Sequence, residues 1–175
     1  MPDKPLAHII DDDDALRDSL SFLLASADIP VSTYASATEF LEALPDISTG
    51  CVVTDIRMPG MSGMELLKHL KQGGTTLQVI VMTGHGDVPL AVEAMRLGAA
   101  DFIEKPFDDE MFISSVRLAI ARQTEADHGH ALKSEVRRKI ESLSMRERQV
   151  LDGLVAGQPN KRIAYDLGKI GRAHV

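Results

Sequence analysis

Cys51-Val52-Val53-Thr54-Asp55-Ile56-Arg57-Met58-Pro59-Gly60 is an apolar, β-branched run that stops at one carboxylate and then breaks. Pro59 biases Met58 away from helical backbone, and Gly60 takes angles that other residues avoid. The run therefore reads as a buried strand with Asp55 at its C-terminal end, facing a loop. In open α/β sheets that edge is where ligands bind. A turn-capping Asp is the plain alternative, and only the neighbouring loops decide between the two.

Working outward, the same arrangement recurs. Leu6 to Ile10 is a short apolar strand followed by four acids, Asp11 to Asp14, and then a helical pattern through Leu16, Leu20, Leu23 or Leu24, and Ala27. Asp13 or Asp14 suits the start of that helix. Pro30 to Tyr34 is a weaker strand, and Phe40, Leu41 and Leu44 mark a helix ended by Pro45. Beyond Asp55, Gly63 opens a helix carrying Leu66, Leu67 and Leu70, which Gly73-Gly74 stops. Gln78 to Met82 is a fourth strand running into Thr83-Gly84, and a helix with Val88, Ala91, Val92 and Met95 ends at Gly98. Ala100 to Glu104 is a fifth strand ending in Lys105-Pro106, and the helix from Asp108 aligns Phe112, Val116 and Ile120. Five βα units with apolar strands predict a doubly wound, parallel five-stranded (βα)5 sheet covered on both faces, over residues 5–122.

That topology collects Asp11, Asp12, Asp55, Thr83 and Lys105 at one sheet edge. Taken alone, Thr83 is a strand-end filler, Lys105 a solvated lysine, and the acid run a solvated turn. Together they form a constellation. Three convergent carboxylates raise one another's pKa unless a cation relieves them, and Mg²⁺ suits a small set of carboxylates plus water. A lysine and a hydroxyl nearby supply donors for phosphoryl oxygens, and a carboxylate can act as the nucleophile.

These residues carry a resemblance. Asp11-Asp12, Asp55 with Met58-Pro59-Gly60, Thr83-Gly84 and Lys105-Pro106 resemble, in order and spacing, the receiver domain of a bacterial response regulator of CheY-like fold. The wording of Val81 to Pro89 and of Asp101 to Phe107 is most similar to FixJ-like regulators. The resemblance implies that Asp55 takes a phosphoryl group from the phosphohistidine of a sensor histidine kinase. It implies that Asp11, Asp12, Asp55 and the Arg57 backbone carbonyl hold Mg²⁺, and that Thr83 and Lys105 bind the transferred group. Phe102 occupies the place of the family's rotating switch aromatic, though an ordinary edge-of-core aromatic reads equally well there. Phosphorylation-dependent homodimers are a further implication. His8 and His85 belong to no phosphorylation motif.

Two other readings fit less well. A metal-dependent phosphohydrolase with an aspartyl nucleophile usually places two carboxylates two residues apart after one strand, whereas Asp55 lies on a different strand from Asp11-Asp12. A flavodoxin-type cofactor site needs a Ser/Thr/Gly-rich phosphate loop where this chain has four acids.

The remaining residues differ in charge. Residues 1–123 hold nine Lys/Arg against nineteen Asp/Glu (net −10), and residues 124–175 hold ten against seven (net +3). That asymmetry suggests two domains with different partners. Gln123 to His130 is polar and reads as the start of a linker (123–142, partly helical), with Leu132, Val136, Ile140 and Leu143 forming one helical stripe. Ser144-Met145-Arg146-Glu147 fits a capping box before Val150, Leu151, Leu154 and Val155. Asn160 then starts a pattern with Ile163, Ala164 and Leu167. Two short helices read as helix-turn-helix, and the wording resembles the opening of a LuxR-type DNA-binding domain. That resemblance implies DNA contacts, with Asn160 and Lys161 as the candidates. Its recognition helix has no counterpart after Gly168. Residues 143–168 are therefore expected to be an incomplete, marginally ordered domain, and 169–175 a non-native tail. On this expectation the complete protein binds DNA and this chain does not. One cysteine and no long apolar run point to a cytoplasmic protein without a membrane span.

Overall fold

The structure is a computed structural model and describes residues 6–84 and 88–157. The chain divides into two compact units, Met1–Asp127 and His128–Val175.

The first unit is built on five parallel strands: β1 (Ala7–Ile10), β2 (Val31–Tyr34), β3 (Cys51–Asp55), β4 (Gln78–Thr83) and β5 (Asp101–Glu104). Their spatial order is β2-β1-β3-β4-β5, so the chain reverses its winding beside β1 and β3. Five helices connect or follow them: α1 (Asp14–Ser26), α2 (Ala37–Ala43), α3 (Gly63–Gln72), α4 (Val88–Arg96) and α5 (Asp109–Glu141). The strands read as unbroken apolar runs because both faces are covered. Alternate residues Ala7, Ile9, Cys51, Val53, Ile80 and Met82 join Leu20, Leu24, Phe112 and Val116 on one face. Ile10, Val52, Val79 and Val81 join Phe40, Leu66, Leu67 and Leu70 on the other.

Local chemistry sets the boundaries. Asp13 caps α1 by accepting from the Ala15 and Leu16 amides. Ser62 and Glu65 form a reciprocal capping box at the start of α3. Pro45 does not simply end α2; it sits in a 3-10 turn, Leu44–Asp46, that carries the chain toward β3.

The segment expected to start a partly helical linker at Gln123 continues a helix. α5 runs unbroken from Asp109 to Glu141, because Gln123 to His130 contains no proline and its single glycine weakens a helix by only about 1 kcal/mol. Gln123 is itself fully buried. Its amide oxygen accepts from the Gly50 amide (3.2 Å), and its amide nitrogen donates to Asp127 and to the Thr76 hydroxyl. Polarity made this segment look like a linker, whereas its first turn is a hydrogen-bonded anchor.

In the second unit, α6 (Met145–Val155) starts at the Ser144/Glu147 capping box expected there. Leu154 and Val155 remain exposed. Asn160, Lys161, the helix expected after them and the 169–175 tail lie outside the described residues, as does His85.

Candidate functional site

The strand register alone brings the acidic groups level. Ile10 pairs with Thr54 and Asp55 with Met82, so Asp11, one step past Ile10, stands in the same row as Asp55. Thr83 follows one residue later and pairs with Glu104, which places Lys105 at the end of the adjacent strand. Neighbouring strands lie about 4.8 Å apart. Side chains from these positions therefore converge.

They meet as follows. One carboxylate oxygen from each of Asp11, Asp12 and Asp55 lies within 4.8 Å of the other two. Asp11 is buried, Asp55 half-buried and Asp12 exposed. The Lys105 ammonium reaches between strands, 3.4 Å from Asp11 Oδ2 and 3.5 Å from Asp55 Oδ1. Asp11 Oδ1 accepts from the Asp13 amide at 2.9 Å, which fixes its orientation and leads directly into the α1 cap. Arg17 donates to the Asp11 backbone carbonyl at 2.6 Å and pairs with Asp14. Thr83 is buried at the end of β4.

Asp55 titrates above the ordinary carboxylate range. Burial is the main cause, Lys105 opposes it, and the Asp11 charge adds to it. Mutual repulsion, the cause expected from the acid cluster, ranks below desolvation. One cation against three carboxylates leaves an excess of negative charge. The donor set is all hard oxygen in a partly open pocket, which fits a divalent cation completed by water.

The loop after β3 is pinned on both sides. Ile56 N–H donates to the Met82 carbonyl and Gly63 N–H to the Ile56 carbonyl, both at 2.9 Å. A Cβ on Gly63 would stand 2.2 Å from the Asp55 carbonyl oxygen, so only glycine lets α3 start this close to β3. Gly60 takes φ +78°, the left-handed backbone expected of it. Arg57 is exposed in this loop, two residues past Asp55. Phe102 is half-buried on β5 against the Ile10/Val81 core. Arg17 escaped the sequence reading, and Gly63 was read only as a helix start. A glycine directly after the serine of a Ser-x-x-Glu cap was the available sign for Gly63, and Arg17 carried none.

His8 stands apart from this edge. It is buried, its Nε2 lies 3.1 Å from the Thr49 carbonyl, and burial lowers its pKa. That carbonyl only accepts, so Nε2 carries the proton, and Nδ1 has no partner among the described residues.

A doubly wound sheet of order 2-1-3-4-5 with an acid triad and a lysine at its C-terminal edge has the CheY-like fold of receiver-type signalling domains. The chain matches the response regulator receiver domain over residues 7–117 and the luxR family of bacterial regulatory proteins over residues 141–168. It belongs to the response regulator family. Within that family it is of the FixJ type. It is 57% identical over 168 residues to the transcriptional regulatory protein FixJ of Azorhizobium caulinodans, covering 96% of this chain and 80% of that protein. Full-length FixJ from B. japonicum is 50% identical, with a TM-score of 0.67 over 93% of this chain and 80% of that one. The response regulator StyR is 35% identical, with a TM-score of 0.80 over 98% and 90% of the two chains. The chain is thus a two-component response regulator combining a receiver with a LuxR-type helix-turn-helix region, a class that implies a phosphodonor kinase and DNA as partners. The phosphohydrolase reading finds no support. Among the described residues no helix is long and apolar enough to cross a membrane.

Proposed function

We propose that Asp55 accepts a phosphoryl group from the phosphohistidine of a sensor histidine kinase, with Mg²⁺ as cofactor. The observation that carries this is the convergence of three carboxylates within 4.8 Å with one lysine reaching two of them. Asp11, Asp12, Asp55 and the Arg57 carbonyl would hold the metal, which would supply positive charge against the phosphoryl oxygens. An Asp55 oxygen attacks phosphorus as the bond to the kinase imidazole breaks, and the imidazole leaves with its electron pair. Lys105, already at 3.5 Å from Asp55, then turns to the new phosphoryl oxygens together with the Thr83 hydroxyl.

The transferred group carries roughly −1.5 to −2 charges. It draws Thr83 and Lys105 inward, and Phe102 follows by rotating on β5. Residues 5–122 act as the phosphoacceptor, and 123–142 connect it to the incomplete DNA-binding region at 143–168, whose Asn160 and Lys161 contact DNA in the complete protein. The protein works in the cytoplasm and forms phosphorylation-dependent homodimers. Its only catalysis is its own phosphorylation from small donors and slow loss of the group.

The test is incubation with Mg²⁺ and acetyl phosphate. The expected product is one alkali-labile acyl phosphate per chain, absent without Mg²⁺ and absent in Asp55→Asn. Sustained phosphate release without accumulation of the acyl phosphate, or undiminished labelling of Asp55→Asn, rules the assignment out.

A further inference from the structure

We infer that the groove between the C-terminal half of α5 and the start of α6 docks an acidic amphipathic helix of a partner protein. Its floor is the stripe Leu132, Val136 and Ile140, spaced four residues apart on one side of α5. Leu132 is 62% and Val136 46% exposed. The groove encloses about 600 Å³, within the range of sites that bind ligands. Lys133, Arg137 and Arg148 stand on its walls, with Glu141 the only acid among the lining residues. None of the three cations joins an ion pair among the described residues, and Glu135, on the same half of α5, is taken by Lys139 at 3.4 Å.

Shape and charge together select the occupant. From Leu132 to Ile140 the floor runs about 12 Å, roughly two helical turns, which suits a helix anchored through residues at i, i+4 and i+7. Three cations without an ion pair among the described residues, beside an apolar floor, favour carboxylates flanking those anchors. A second copy of this chain fits poorly, because its own α5 would bring an excess of cations, Lys133, Arg137, Arg138 and Lys139 over Glu135 and Glu141, against the same cations. A flat anionic membrane would meet the cations, yet a concave groove between two helices offers it little apolar contact.

The test uses the 175-residue chain and fluorescein-labelled synthetic helices carrying leucines at i, i+4 and i+7, flanked by glutamates in one peptide and by lysines in another. Fluorescence anisotropy is expected to show saturable binding of the glutamate peptide and at least about tenfold weaker binding of the lysine peptide. Val136→Glu, a change at an exposed position, abolishes binding with the circular dichroism spectrum unchanged. Arg137→Glu weakens the glutamate peptide and strengthens the lysine peptide. Equal affinity for the two peptides, no binding of either, or indifference to Val136→Glu overturns the inference. So does binding to phosphatidylglycerol vesicles alone.

Discussion

The two edges of the one parallel sheet handle buried polarity in opposite ways. At the C-terminal edge, three carboxylates converge with a single lysine reaching two of them, and burial holds Asp55 above its ordinary pKa. At the N-terminal edge, Gln123 reaches across from α5 to Gly50 and Thr76, and every polar atom of that side chain finds a partner. One edge keeps electrostatic free energy unsatisfied, and a cation or a phosphoryl group can relieve it. The other is closed. A site that must respond to a ligand has to be incomplete without it, whereas an anchor must be complete already.

The largest effect expected of any substitution at either edge comes from Gly63→Ala, because all three nearest atoms to the added Cβ are backbone and cannot yield cheaply. A loss of about 3 kcal/mol or more is expected in urea melts, at the upper end of overpacking costs. A loss below about 1 kcal/mol would show that the β3–α3 approach is looser than it looks. Next, saturating Mg²⁺ raises stability by about 2.7 kcal/mol at a hundredfold excess over its dissociation constant. Asp11→Ala removes that gain, and an equal Mg²⁺ shift in the variant would detach the metal from this edge. Gln123→Ala leaves the Gly50 amide without its partner and Asp127 with only the Thr76 hydroxyl, and costs about 2 kcal/mol. Labelling by acetyl phosphate, measured per folded molecule, stays unchanged. Reduced labelling would mean that the two edges communicate.

The smallest effect is on the acid side. Asp55 binds a proton more readily folded than unfolded, so its charge opposes folding once ionised. Stability contributed by this group therefore falls as pH rises from 3.8 through the raised folded value and is flat above it. Asp55→Asn accordingly melts a few degrees higher at neutral pH. A lower melting temperature would show that Lys105 outweighs burial. His8 runs the other way. Held neutral by burial, it contributes stability fully present above 6.5 and lost as pH falls below it. A pH series on His8→Gln should lose that part of the slope.

Much of this was legible in the residues. Apolar runs of strand length ending in Asp11, Asp55, Thr83 and Lys105 determine a parallel sheet with its polar residues at one edge, because such runs need cover on both faces and parallel strands end together. The capping residues Asp13, Ser62 and Ser144 were equally readable, since capping is local chemistry. What sequence order alone did not supply was contact between residues far apart in the chain. Gln123 looked like the start of a linker because side-chain polarity is local, while its partners Gly50 and Thr76 lie 73 and 47 residues away. Gly63 looked like a helix start, and only the packing of α3 on β3 made it indispensable. The leading cause of the Asp55 shift likewise came from burial, a property of the folded packing. The chain by itself thus determined which groups gather at the sheet edge. Tertiary structure decided how dry that edge is, how near the lysine comes, and where α5 is tied down.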